Sequence, residues 1–164
     1  MVTAMNRNKV KGDRTPRSMD VYYEKDGLKG VAYCGCGAVF RGKRWHQNGD
    51  VALKPADGRK LVCPACRRIA DGMPAGIVTL RGSFFSSHEA EINNLLRNTE
   101  HASVQKNPLG RVMDTHKEKD GVIITTTDGK LAQKIGREVY KSFGGKLNFL
   151  WSQSENLVRV AWSR

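Results

Sequence analysis

Four cysteines stand in two close pairs, Cys34 with Cys36 in YCGCGAVFRGKRW and Cys63 with Cys66 in LVCPACRRIADG. Two short thiolate pairs can close a tetrahedral zinc site at metal–sulfur distances of about 2.3 Å and pin two turns with little core beneath them. The second pair, C-P-A-C, has the common two-residue spacer, whereas the first has a single residue between its cysteines. Between Cys36 and Cys63 lie 26 residues, more than the roughly 15 to 20 of simple ribbons. The short first spacer makes Cys34 the most constrained ligand of Cys34, Cys36, Cys63 and Cys66. His46 or a water completes the site if one cysteine points away; otherwise His46 is a surface imidazole beside Trp45. An iron–sulfur cluster uses the same donors, and zinc is the commoner occupant of a basic ribbon. Four sulfur ligands leave a zinc ion no open position, so the expected role of the metal is structural.

Cations crowd around the cysteines. Arg41, Lys43 and Arg44 follow the first pair, Arg59 and Lys60 precede the second, and Arg67 and Arg68 follow it, with Phe40 and Trp45 interleaved. Basic groups bind phosphates, and aromatic or guanidinium planes stack on unpaired bases, so the mixture suits RNA. For Trp45 the alternative is the small core of the ribbon. A second set, Lys130, Lys134, Arg137 and Lys141, recurs at i, i+4, i+7 and i+11. It forms a ridge along one side of a helix, either a solvated face or a phosphate-contacting one.

The net charge agrees with a polyanionic partner. The 164 residues carry +12 with an isoelectric point near 9.8, and the segment 1–70 holds +9 of that balance. No amphipathic basic helix or acylation signal accompanies that charge in the first half to point to a membrane. Catalytic motifs are missing: the sequence has no phosphate-binding G-x-x-x-x-G-K-[ST], no G-x-G-x-x-G after a strand, no H-E-x-x-H and no G-x-S-x-G. The expectation is therefore a protein that is not an enzyme and has no evident small-molecule substrate. Residues 1–20 contain no apolar stretch of signal-peptide length, and no segment reaches the roughly 18 apolar residues of a membrane span. A cytoplasmic protein with reduced, metal-binding thiols follows, in preference to a disulfide framework.

The elements that must position these residues can be read in outline. Residues 1–20 are polar, include Pro16 and lack a period, and are expected to form a disordered basic arm. Residues 21–72 make the zinc-ribbon module, with AVFRGKRW as a strand and turn, residues 49–60 as a loop and CPAC as a second knuckle. The turn-rich ADGMPAG marks a boundary. From 77 to 164 an α+β domain is expected. Its elements are a strand over 77–85, a helix opened by the capping box Ser86 to Glu89, strands over 110–117 and 121–127, a helix after Asp128-Gly129, and a final hairpin. That order, with one extra C-terminal strand, is that of a ferredoxin-like βαββαβ sandwich, two helices covering one face of an antiparallel sheet.

The segments CGCGAVFRGKRW, CPACRRIADGMPAGIVTLRGSF, HEAEINNLLRN, TTTDGKLAQKIGREVYKSFGG and LVRVAWSR together resemble a family of small bacterial zinc-ribbon proteins of largely uncharacterised function, over about residues 33–164. The CPACRR segment also resembles, over a short stretch, the zinc ribbon of the archaeal and eukaryotic large-ribosomal-subunit export adaptor. These resemblances imply a Zn2+ cofactor and association with ribosomal RNA or a ribosomal subunit, and they bring no catalytic residues. Family members usually have two residues in the first spacer, where this chain has one. The competing reading is a protein–protein adaptor whose zinc is purely structural.

Overall fold

The computed structural model describes residues 21–22, 27–47, 58–152 and 156–164. The basic arm expected over 1–20 lies outside them, as does most of the loop expected over 49–60. The described chain is a mixed α+β structure with two sheets and four helices.

The first sheet is small. Strands β1 (Ala32–Tyr33), β2 (Ala38–Arg41), β3 (Arg44–Gln47) and β4 (Arg59–Lys60) lie in the order β3-β2-β1-β4. β2 and β3 form a hairpin whose two loop residues, Gly42 and Lys43, both have positive φ, 59° and 66°. Such a turn matches the twist of its flanking strands. Glycine adopts that backbone freely, while a lysine there costs roughly 1 to 2 kcal/mol.

The second cysteine pair departs from the expected knuckle. It opens a helix, α1 (Pro64–Asp71), with Cys63 as N-cap accepting a hydrogen bond from the Cys66 amide. Pro64 at the first helical position has no amide hydrogen to leave unpaired there. The helix ends at Gly72 in the left-handed conformation (φ 62°), so the first half of ADGMPAG is a helix C-cap.

The larger sheet has five strands: β5 (Gly76–Arg81), β6 (Val112–Glu118), β7 (Gly121–Thr126), β8 (Lys146–Trp151) and β9 (Val158–Ser163). Their order is β6-β7-β5-β9-β8. The expected succession of strands and helices is present, but the sheet is mixed. The C-terminal hairpin enters by its second strand, and β9 runs parallel to β5 while β8 takes the edge. α3 (Glu89–Lys106) and α4 (Gly129–Phe143) pack against each other, and α4 lies on β5 and β9. Val78, Leu80, Ile124, Leu131, Ile135, Val139, Val160 and Trp162 are buried in this core. Gly136 lets α4 approach closely, because a Cβ there would collide with the Val160 side chain.

β5 stops at Arg81, short of the expected Phe85. Gly82 has φ 121° and a Cβ there would strike the backbone of Arg164, so the chain turns into α2 (Ser83–Ser87), which buries Phe85. Ser86 is consequently inside α2, and the residue before α3 is His88, which makes no side-chain cap. The capping-box pattern is in the sequence, but the short α2 takes up Ser86 and leaves His88 before α3.

Candidate metal centre

The β1–β2 turn and the start of α1 bring all four cysteine Sγ atoms within 4.8 Å of one another. Cys34 and Cys66 are 3.8 Å apart and Cys36 and Cys63 are 3.7 Å apart. A tetrahedral site with metal–sulfur bonds of about 2.3 Å has sulfur–sulfur edges of about 3.8 Å, so these two opposed pairs already have the needed span. None of the four is in a disulfide. Cys34 therefore joins the set despite its one-residue spacer. The tight turn is accommodated by Gly37 at φ 93°, with the Gly37 amide donating to the Cys34 carbonyl at 3.0 Å and the Cys34 amide to that of Ala38 at 2.8 Å. His46 is not needed in the site; its Nε2 lies 3.1 Å from the Arg41 carbonyl oxygen.

Backbone donors are aimed at the sulfurs. The Cys63 amide donates to Cys34 Sγ at 3.3 Å and the Cys66 amide to Cys63 Sγ at 3.4 Å. Burial opposes the Cys34 thiolate, but backbone and thiol donors from Cys36 and Cys63 outweigh it and bring its pKa down to about 7. Burial pushes the Cys36 and Cys63 thiols up, and neighbouring sulfur charges add to the rise at Cys63. Divalent metal binding offsets such crowding, since the ion replaces the protons of thiols that cannot all ionise together.

A residue outside both cysteine segments completes the surroundings. Arg111, just before β6, donates from its terminal Nη2 to Cys63 Sγ at 3.4 Å and to Cys66 Sγ at 3.3 Å. Its Nε is buried without a partner. Burial works against its charge, and the bond to Cys66 together with the field of Cys36 and the other thiols overcomes that and raises its pKa. Leu109 packs on the same cluster beside Trp45. A half-buried guanidinium whose hydrogen-bond acceptors are sulfurs fits a centre carrying net negative charge, as four thiolates around a divalent ion do. No sequence signal marks Arg111, which stands 45 residues from Cys66 in the chain.

No family model, curated protein or solved structure matches the chain.

The residues expected to contact RNA fall into four groups. Arg41, Lys43 and Arg44 are exposed at the β2–β3 tip, and among the described residues none has a carboxylate partner. Arg41 and Arg44 face each other directly across the ladder. Arg67 and Arg68 are turned to internal contacts. Arg68 is 7 % exposed, donates to the Met73 carbonyl at 3.1 Å and lies 4.4 Å from the Tyr22 ring centre, while Arg67 donates to the Tyr22 carbonyl. Burial takes Arg68 away from any phosphate. Trp45 is half-buried, edge-on to Phe40 at 5.5 Å and packed on the cysteine cluster, which is the ribbon-core alternative. On α4, Lys130, Arg137 and Lys141 are exposed and Lys134 is half-buried; Arg137 lies over the Phe149 ring at 5.5 Å. Among the described residues no helix is long and apolar enough to cross a membrane.

Proposed function

We propose that the four cysteines hold a structural Zn2+ ion and that the protein is a non-enzymatic RNA-binding module of the cytoplasm, docking by its β2–β3 tip onto ribosomal RNA or a ribosomal subunit. The observation that carries this reading is the pairing of Arg41 with Arg44 across the hairpin, with Lys43 between them. Like charges directly opposite each other destabilise a two-stranded ladder, and a lysine at positive φ adds strain. An outside polyanion offsets both costs. The metal centre sits at the other end of β2 and gives the tip the rigidity that a positioned phosphate clamp needs. Zinc is preferred for a closed set of four thiolates because the ion has no redox chemistry and accepts a tetrahedron readily. Ribosomal RNA is preferred on the short likeness of CPACRR to the export adaptor's ribbon. Lys130, Arg137 and Lys141 supply a second phosphate-contacting surface.

The direct test is co-sedimentation with ribosomal subunits at low salt. Wild-type protein should pellet with the particles, and the double variant Arg41→Glu with Arg44→Glu should stay in the supernatant. Wild-type protein that stays wholly free would remove the reading. A second reading is favoured by Val62, Ile69 and Met73, which expose apolar side chains at and beside α1. These suit a protein partner, with zinc purely structural. Capture of RNA-free protein complexes that depend on Val62 and Met73, and not on Arg41, would favour it.

A further inference from the structure

We propose that Arg111 is a positioning residue of the metal centre and makes metal retention and the docking of the larger sheet onto the cysteine unit interdependent. The proposal rests on metal binding by the four thiols and is independent of the RNA reading.

Arg111 is held from the side of the larger sheet. Its amide donates to Thr127 Oγ1 at 2.9 Å, and the Thr127 amide returns a bond to the Arg111 carbonyl at 2.9 Å. The Thr127 hydroxyl also donates to the Leu109 carbonyl, and the Val112 amide donates to Glu100 Oε1 at 2.7 Å. Thr127 is buried and directly precedes Asp128, the N-cap of α4. The 109–112 segment is thus fixed by β7, α3 and the entry to α4, all parts of the larger sheet's layer. From that base Leu109 packs on the cysteines and Arg111 bonds two of their sulfurs. Gln47 Nε2 adds a link to the Val104 carbonyl at 3.3 Å.

Charge explains why this contact depends on the ion. Four thiolates around a divalent metal carry two negative charges, and a guanidinium bonded to Cys63 and Cys66 cancels one of them in a half-buried setting. Without the ion the four sulfurs lose the bonds that hold them together, and the half-buried guanidinium is left with acceptors that are weak and no longer fixed in place. Metal loss should therefore loosen the 109–112 segment, and loss of the Arg111 charge should loosen the metal. Arg111 bonds Cys63 and Cys66, and Cys36 is the exposed member of the four.

The test uses the full chain loaded with Zn2+ or Co2+, as wild type, Arg111→Lys and Arg111→Met. Outer-sphere partners of metal ligands typically contribute about 10- to 100-fold to metal affinity. Chelator-driven Zn2+ release should accelerate by about that factor in Arg111→Met and by less in Arg111→Lys. The sulfur-to-cobalt charge-transfer band should move to longer wavelength in Arg111→Met, because hydrogen bonds and a nearby cation lower the energy of the sulfur lone pairs. In the wild type alone, stripping the metal should raise amide exchange at Leu109 and Val112 while β5 and β9 keep their protection. Release rates within twofold of wild type, an unmoved cobalt band, or exchange at Leu109 and Val112 that ignores the metal would overturn the proposal. A wild-type chain that takes up neither ion would overturn it together with the metal reading, whatever the RNA result.

Discussion

The guanidinium of Arg111 reaches Cys66 Sγ at 3.3 Å, a contact between the edge of the five-stranded sheet and the first turn of α1. Among the described residues the small sheet also buries Ala32, Val39 and Phe40, and Gln47 bonds the Val104 carbonyl. Its buried cluster consists of Cys34, Ala38, Cys63 and Ala65, with Trp45, Cys66 and Leu109 at the margin. A structural zinc typically contributes about 10 to 16 kcal/mol to a small fold of this kind. Removing the metal should therefore unfold β1 to β4 and leave the core around Trp162 intact. Hydrogen exchange read by residue checks this: protection at Val39 and Phe40 is lost with chelator while that at Val78 and Val160 survives. Retained protection at Val39 would mean that the thiols are not a metal-dependent staple.

Metal uptake should depend on pH through the thiols. With Cys34 near 7 and with Cys36 and Cys63 raised, the metal-free centre at neutral pH still carries protons that the ion must displace. Affinity should rise with pH across the neutral range, with proton release on Zn2+ addition. Calorimetry in buffers of different ionisation enthalpy measures that release, and a value of zero would contradict the assignment of the ligands.

Lys43 sits at φ 66°, where glycine is preferred. Lys43→Gly should stabilise the hairpin by about 1 kcal/mol and weaken RNA binding, since one clamp cation is gone. Thermal denaturation and a binding titration on the same preparation separate the two effects. A variant that is more stable and binds RNA equally well would show that the strain at Lys43 has no binding role.

Tyr22 donates its phenol to Asp71 Oδ2 at 2.6 Å, and that bond, with burial and the Asp71 charge, raises the phenol pKa above 10.0. The folded pKa exceeds the unfolded one, so the stabilisation is complete below pH 10 and fades as pH climbs through the raised value. Tyr22→Phe keeps a ring for Arg68 and should cost about 0.5 to 1.5 kcal/mol at neutral pH. The difference from wild type should shrink at strongly alkaline pH; a difference that grows there would reverse the assigned donor.

The chain announces part of this in sequence. Cysteine spacing locates the candidate metal centre because chelation is local, one turn and one helix start each supplying a pair. The stripe Leu131, Ile135 and Val139 likewise marks α4, since a 3.6-residue period survives any tertiary setting. Arg68 could not be read, because whether a cation beside a cysteine faces water or Tyr22 depends on how a distant segment packs. Arg111 was silent for the same reason: its partners lie far back in the chain and no period or motif ties them. The parallel β5–β9 pairing was also out of reach, since element order leaves strand neighbours open. At Ser86 a valid capping pattern lost to Gly82, whose positive φ ended the strand early.

The central claim, a metal-held basic tip that binds RNA phosphates, is tested most directly by the salt dependence of RNA affinity. Binding of a labelled ribosomal RNA fragment is measured across a series of salt concentrations for wild type and for Arg41→Gln with Arg44→Gln, both loaded with Zn2+. The account predicts a linear fall of log affinity with log salt, and a slope shallower by about 2 in the variant, roughly one for each phosphate contact removed. Equal slopes in the two proteins, or no wild-type binding at the lowest salt, would contradict it.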